Sequence, residues 1–558
     1  MKNRIDALLA ATLRRCFDNK TLTECRVPDY VIEVPNNPDH GHFATNLPLT
    51  LASAQKLSPR EIALTLVENM VDEDAFLEAA DVAGPGFINF RVSVKEWCKV
   101  LSEVIRAGAE YGKNSTGEGQ KILVEFVSAN PTGPLHLGHG RGAALGDTLC
   151  RVLSFCGYHV VREFYINDAG LQINLLGTSI WARFKQMDDP AYPFPENGYH
   201  GEYILELAEK ISQETDLNKC SEKEGIAHCA RQGKEIMLAE LKAVLDQFRV
   251  HFDVWYSEGE VYRSGLLEET LKAVKEKGYL YEEAGASWIK TALFGDDKDR
   301  VIQKGDGSFT YFASDIAYHL EKHQRGFEKA INLWGADHHG YVPRMKAALA
   351  AHGIAPEWLS VMLIQLVKLW SEGREIKMSK RAGNFVTLKE VMDEVGVDAV
   401  RFVFLTKHHD SPLDVDMDLI KKADSDNPVY YVQYAHARIC SILRRADAER
   451  IKVPNQVDSL STYLTLPEEL TMVRIMAGFP SLLQDIAQSL EPHRLTYYLA
   501  DLAASFHRYF NLGTKHPDHR ILTKDADLSE ARLFLALGIK TVIANGLSLL
   551  GVSAPEKM

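Results

Sequence analysis

The sequence predicts an α/β protein. A doubly wound parallel sheet is expected over residues 121–420, with an α+β unit before it (1–107) and an all-helical unit after it (421–558). Three observations carry the expectation. A chain of 558 residues is too long for one core. In its middle, apolar runs of strand length alternate with helical periodicity, and polar residues gather where the strands end. Beyond residue 420 the apolar spacing is helical throughout.

In chain order, MKNRIDALLAATLRRCF reads as an amphipathic helix, with charges too scattered for a signal peptide. A short strand, Tyr30 to Val34, leads into a Pro/Asn-rich loop, Pro35 to Pro48, that carries His40-Gly41-His42. No third ligand stands nearby, so these histidines are expected to serve the loop and not a metal. Gly84-Pro85-Gly86 precedes the alternating strand Phe87 to Val92, and the polar stretch Gly108 to Gln120 reads as a linker.

The central region opens with the strand Ile122 to Val127, broken by Pro131, Gly133 and Pro134. From Gly138, apolar residues recur at helical spacing to Cys156, and Gly157 is a stop. His136 and His139 therefore flank a helix N-terminus, where unpaired N–H groups and the helix dipole favour an anion. Gly138 leaves room for a flat ligand such as adenine to approach the backbone. A second strand, Tyr158 to Ile166, ends at Asn167-Asp168. Residues from about 175 to 275 read as an insertion, mostly helical by periodicity. Thr310 to Tyr318 reads as a helix start with Tyr311 and Asp315 on one face. The strand Ala330 to Trp334 runs into Gly335-Ala336-Asp337-His338-His339-Gly340. An apolar segment, Val361 to Trp370, precedes a hairpin at Glu372-Gly373 and the loop Lys377-Met378-Ser379-Lys380-Arg381-Ala382-Gly383-Asn384. Two lysines three apart on such a loop can neutralise charge that develops on a triphosphate. Asn427-Pro428 starts the helical region, with Tyr430, Tyr434 and Arg438 along its first helix as stacking and phosphate-binding candidates.

Composition bounds the partners. Hydrophobic residues make 46% of the chain and charged ones 25%, ordinary for a globular protein, and no run of about 18 apolar residues predicts a membrane span. Eight cysteines without a C-x-x-C pair predict free thiols in a reducing compartment and no structural zinc. A net charge of −13 excludes a globally basic nucleic-acid binder. Residues 420–558, however, carry 16 Lys and Arg against 15 Asp and Glu, which permits a local RNA-binding face.

His136-Leu137-Gly138-His139 resembles the His-Ile-Gly-His signature of class I aminoacyl-tRNA synthetases, and the run Glu125 to Arg141 is most similar to the arginyl-tRNA synthetase version. Lys377 to Arg381 resembles the Lys-Met-Ser-Lys-Ser signature, with Arg381 where serine is usual. The His-Gly-x-x-x-x-Asn loop, Gly-Pro-Gly-Phe-x-Asn-Phe, the stretch Asn427 to Arg438 and the segment Gly551 to Met558 resemble the outer domains of the same family. The resemblance implies a Rossmann-like class I catalytic domain, a tRNA-contacting N-terminal domain and a helical anticodon-binding domain. It implies an arginine–tRNA ligase using L-arginine, tRNA(Arg) and ATP with Mg²⁺, working as a cytoplasmic monomer away from membranes, with pyrophosphate exchange that requires tRNA. Catalytic roles would fall to His136, His139, Lys377 and Lys380, and ATP contacts to His136, Gly138, His139 and Lys380. Arginine would be bound by Glu125, Ser128, Asn130, His139, Tyr311, Asp315 and His338, the last standing near a position where relatives carry glutamine. Tyr430, Tyr434, Arg438 and Met558 would contact tRNA. A guanidinium offers five fixed donors and a permanent charge, and Asp315 with Tyr311 supplies suitable acceptors. The alternatives are a class I synthetase for another amino acid, a small nucleotidyltransferase, and a non-catalytic RNA-binding relative.

Overall fold

A five-stranded parallel sheet lies at the centre of the computed structural model, which describes residues 1–558 apart from Asn36, Ala169, 377–385 and 453–459. Its strands run in the order Leu359–Ile364, Lys329–Gly335, Lys121–Glu125, His159–Ile166, Val254–Ser257. The chain builds from Lys121–Glu125 to one edge, returns, and builds to the other edge. The reversal falls between Lys121–Glu125 and Lys329–Gly335, so a crevice opens at their carboxyl ends.

Both faces of the sheet are covered. Helix Leu137–Phe155 packs on Ile122, Val124 and Ile331. Helices Tyr311–Gln324 and Tyr341–Ala351 pack on Ala330, Tyr165 and Leu359. Successive residues Ala330 and Ile331 serve opposite faces, as the twofold period of a strand requires.

Two stretches each hold a strand that the sequence does not predict. Residues 175–275 are mostly helical, but after helices Leu171–Asp188, Glu202–Glu214 and Glu222–Gln247 the strand Val254–Ser257 returns to the main sheet as its edge. Four residues are too few to show a period of two. The apolar segment Val361 to Trp370 is two strands. It divides after Ile364, and Val367–Ser371 joins a second sheet with Arg374–Ile376 and Leu413–Asp416. The hairpin between its first two strands turns at Glu372 (φ 51°) and Gly373 (φ 70°), both left-handed. A third, antiparallel sheet spans Leu280–Glu283, Ala286–Ile289 and Arg300–Gln303, where the sequence had indicated nothing.

At the N-terminal end, helix Lys2–Asp18 packs with the antiparallel sheet Ile32–Glu33, Phe43–Thr45, Phe87–Val92, Leu77–Ala83. His42 serves that sheet: its Nδ1 accepts from the Val92 amide at 3.0 Å and Trp97 Nε1 at 3.4 Å. Burial, reinforced by Arg474 and Arg91, holds its pKa down at about 4, so the ring is neutral.

The polar stretch 108–120 joins the units but is docked. Tyr111 is buried, donates to the Met476 carbonyl at 3.0 Å, and stacks on Phe479. Asn545 Nδ2 donates to the Gly108 carbonyl at 2.9 Å. One hydrophobic core thus runs through the N-terminal unit, one face of the parallel sheet and the helices Pro428–Ala448, Pro467–Ala477, Phe479–Ser489, His493–Lys515 and Ala526–Leu549. Among the described residues, Ala526–Leu549 is the one helix long and apolar enough to cross a membrane, and 72% of its apolar stretch is buried in this core.

Two fully buried arginines fasten the helix Leu137–Phe155. Arg141 donates to the carbonyls of Gln365 and Ser411, both at 2.9 Å, and of His408 at 2.8 Å. Arg401 pairs with Asp147 of that helix and donates to the carbonyls of Phe248 at 2.8 Å and Leu550 at 2.9 Å. Removing residues 427–558 would strip Arg401 of Leu550 and Tyr111 of Phe479. The truncated protein is expected to be insoluble or to melt without cooperativity; a soluble 1–426 fragment with a sharp thermal transition would show that the units are separable.

Candidate active site

The site forms where the first strand hands over to the first central helix. The backbone turns sharply after Phe126, with Val127 at φ 69° and Ser128 at φ 38°, and a β-branched residue in the left-handed region is strained. The turn lets Ser128 Oγ donate to Glu125 Oε1 at 2.9 Å, and Ser128 Oγ in turn accepts from the Tyr165 amide at 3.2 Å. The chain then rises over Asn130, whose amide is fixed at both ends: Oδ1 accepts from Asn167 and Nδ2 donates to Gln172, each at 2.6 Å.

His136 is the N-cap of helix Leu137–Phe155. Its Nδ1 accepts from the His139 amide at 3.4 Å, while His139 Nδ1 accepts from the His136 amide at 3.3 Å. The rings stack with centroids 3.6 Å apart. Reciprocal capping uses Nδ1 of both rings as acceptors, so the proton of each neutral ring sits on Nε2 and makes it a donor. A Cβ on Gly138 would lie 3.0 Å from His136 Cε1, so glycine preserves the stack.

The chain that follows the second signature meets the first. Lys377, Lys380 and Arg381 lie outside the described residues, but both flanks are described. The strand Arg374–Ile376 precedes them, and Thr387 forms an antiparallel bridge with His136. The Leu388 amide donates to the Leu135 carbonyl at 2.8 Å.

At the carboxyl ends of the parallel strands lies a pocket of about 440 Å³. Six of the seven expected arginine-binding residues line it: Glu125, Ser128, Asn130, Tyr311, Asp315 and His338. His139 does not, and stands instead with His136 at the helix N-terminus. Tyr311 and His338 are exposed at the mouth. Tyr341 Oη donates to Asp315 Oδ2. Burial pushes the Asp315 carboxyl up to about 6, against the pull of that hydrogen bond. Sequence reasoning missed Glu258, Tyr165 and Tyr341 on the same wall. Glu258 follows the four-residue strand that periodicity did not show, whereas Tyr341 closely follows the polar strand end at Gly335 and could have been read from it. The Tyr165 hydroxyl is buried without a hydrogen-bond partner among the described residues. No group of three or more His, Cys, Asp or Glu among the described residues could hold a metal.

In the C-terminal helices a cavity of about 820 Å³ is lined by Tyr434, Arg438, Arg444, Arg445, Arg520, Lys557 and Met558 among others. Arg438 lies between the rings of Tyr434 and Phe510, at 4.4 and 4.5 Å. Tyr430 stacks on Tyr434 but faces a neighbouring depression beside Lys421 and Lys422.

Known proteins match the whole of this arrangement. Residues 3–92 match the arginyl tRNA synthetase N terminal domain, 100–422 the catalytic domain of tRNA synthetases class I (R), and 432–558 the DALR anticodon binding domain. The arginine–tRNA ligase of Desulfosudis oleivorans is 48% identical over the full length of both chains. The chain belongs to the arginyl-tRNA synthetase family. The arginine–tRNA ligase of Syntrophotalea carbinolica is 46% identical, again over all of both chains. The arginyl-tRNA synthetase of Thermus thermophilus superposes with a TM-score of 0.77 at 23% identity, covering 100% of each chain, and shares the fold. As an arginyl-tRNA synthetase the protein is a ligase that uses ATP to join arginine to tRNA(Arg). The nucleotidyltransferase, the non-catalytic relative and the synthetase for another amino acid are thereby set aside.

Proposed function

We propose that arginine is activated between the two signatures and the anionic pocket, in the division of residues 1–107, 121–420 and 421–558 that the sequence implies. The observation that carries this reading is the pocket wall: Glu125, Glu258 and Asp315 line it, with no lysine or arginine side chain among its described lining residues. Such a wall suits a substrate with two cationic groups. Asp315 and Tyr311 take the guanidinium, with His338 at the mouth. Glu125, Ser128 and Asn130 take the α-amino end, with Glu125 accepting from the α-ammonium, and His139 adjoins the carboxylate.

A carboxylate oxygen of arginine attacks the α-phosphorus of ATP, the bond to the bridging oxygen breaks, and pyrophosphate leaves. The Nε2–H donors of His136 and His139, at a helix N-terminus, hold phosphate oxygens. Gly138 admits the adenine. Lys380, supported by Lys377, stabilises the charge that gathers at phosphorus. Mg²⁺ enters with ATP as part of the co-substrate. A ribose hydroxyl at the 3′ end of tRNA(Arg) then attacks the arginyl carbonyl and AMP leaves. The protein's share is positioning and charge stabilisation. The cationic cavity of the C-terminal helices, with Tyr434, Arg438, Met558 and the adjacent Tyr430, holds the anticodon end, and the N-terminal unit meets the outer corner of the tRNA. The enzyme works as a monomer in the cytoplasm, without a membrane.

Amino-acid-dependent pyrophosphate exchange across the twenty amino acids, with and without tRNA(Arg), tests this reading. Exchange is expected with arginine alone and only when tRNA is present. Equal exchange with a second amino acid would overturn the pocket assignment, and robust exchange by tRNA-free protein would remove the tRNA requirement.

A further inference from the structure

Beneath the pocket lies a lysine that belongs to neither signature and does not line the wall. Lys322, on helix Tyr311–Gln324, is fully buried, which is rare for a lysine unless it is paired. Its Nζ donates to Glu125 Oε2 at 2.5 Å, lies 3.4 Å from Asn332 Oδ1, and sits 4.2 Å from the centroid of the Tyr318 ring. Asn332, also fully buried, is the parallel-sheet partner of Glu125 and donates Nδ2 to the same Oε2 at 3.1 Å. With Ser128 Oγ on Oε1, three donors from a helix, a strand and a strand-end turn hold one carboxylate.

Glu258 lines the same pocket, and the neighbouring charges on the sheet and on this helix have partners of their own. Glu163, the other sheet neighbour of Glu125, is taken up by Arg325 at 2.7 and 3.0 Å and by the Tyr318 hydroxyl. His319 is neutral: burial, then Lys322, hold its pKa at about 3, and its Nδ1 meets the Asp315 carbonyl at 2.7 Å. Asp315 is the remaining carboxylate on this helix face. Among the described residues, Lys322 is the ion-pair partner of Glu125. Buried ion pairs contribute little net stability over apolar packing, so stability alone does not account for this one.

We propose that Lys322 is a positioning residue for arginine activation: with Asn332 and Ser128 it holds the Glu125 carboxylate turned toward the α-ammonium of the amino acid. The proposal rests on the reading that Glu125 receives the α-ammonium. Without Lys322 the buried carboxylate loses its countercharge, which favours the neutral form, a weaker acceptor. The lost charge-assisted hydrogen bond corresponds to roughly a 10–100-fold rise in KM.

The test is tRNA-supported pyrophosphate exchange by the full-length enzyme and its Lys322→Met, Lys322→Gln, Glu125→Gln and Lys322→Met/Glu125→Gln variants, between roughly pH 6.5 and 9. Lys322→Met is expected to raise the KM for arginine by roughly 10–100-fold near neutral pH while the KM for ATP stays put. The deficit relative to wild type should narrow as pH rises and Glu125 ionises again. Lys322→Gln, which keeps a donor and is the gentler change should the methionine variant not fold, should show the same alkaline recovery. Glu125→Gln should raise the KM for arginine at every pH, and Lys322→Met should add nothing in that background. A folded Lys322 variant with wild-type arginine KM at every pH would overturn the proposal. So would equal losses for ATP and arginine with no pH dependence, the mark of a structural role. An unchanged KM for arginine in Glu125→Gln would instead sink the reading of Glu125 itself, and the proposal with it.

Discussion

Replacing Asp315 with asparagine is expected to lower kcat/KM for arginine by about 10²–10³-fold, as removal of one partner from a buried, charge-assisted pair does. Asparagine keeps the shape and leaves an acceptor for the Tyr341 hydroxyl, but sets an amide against a desolvated guanidinium. The KM for ATP should barely move. Citrulline matches the shape of arginine without its charge, so the preference for arginine over citrulline should narrow. Helix capping does not compete as an explanation, because the cap of this helix is Thr310, whose side chain accepts from the Ala313 amide at 3.3 Å. The pH dependence gives a second readout. With the Asp315 carboxyl raised from 3.8 to about 6 in the folded protein, kcat/KM for arginine should fall as pH drops through about 6, and the variant should lack that limb. The sign for stability is opposite. A raised carboxyl pKa contributes stability that is fully present below pH 3.8 and is lost as pH rises through about 6. A difference of about two pKa units is worth up to about 3 kcal/mol, so above pH 6 the variant should melt no lower than wild type. A destabilised variant with unaltered substrate preference would refute the assignment.

Lys380→Ala is expected to lower the rate of adenylate formation by about 10²–10³-fold while arginine binding stays nearly intact. The charge is needed most when the phosphorus centre is crowded, so the loss belongs in kcat. The flanks explain how a distant loop can act there: the Thr387 bridge to His136 and the Leu388–Leu135 hydrogen bond tie the return of the segment to the histidines. Single-turnover measurement of adenylate formation separates the outcomes. Unchanged turnover with only a raised KM for arginine would refute the role of Lys380.

What could be read from the sequence was local. The strand, the Pro/Gly break and the helix around His136 and His139 lie within one short run, and the four-residue spacing of Tyr311 and Asp315 places both at one helix start. What escaped depended on tertiary partners. Lys322 stands seven residues beyond Asp315 on the same helix, and a charged residue there reads as a solvated face; only the folded sheet shows Glu125 opposite it. Tyr341 acquires its role from a carboxylate 26 residues away. The stretch 108–120 reads as a flexible connection because its composition is polar, yet one tyrosine in it finds a partner 365 residues on.

The Arg401 junction bears on how the protein is made. Its guanidinium needs Asp147, 254 residues before it, and the Leu550 carbonyl, 149 residues after it. A ribosome releases the histidine helix long before Leu550 emerges. Until then a fully charged side chain has no dry place to go, and the interior around it must stay hydrated. The central sheet can assemble as a nascent chain, but the Arg401 junction on the histidine helix closes only when translation has passed residue 550. Such long-range closure makes folding slow and leaves an apolar surface exposed during synthesis, which is the condition under which a chaperone finds a client.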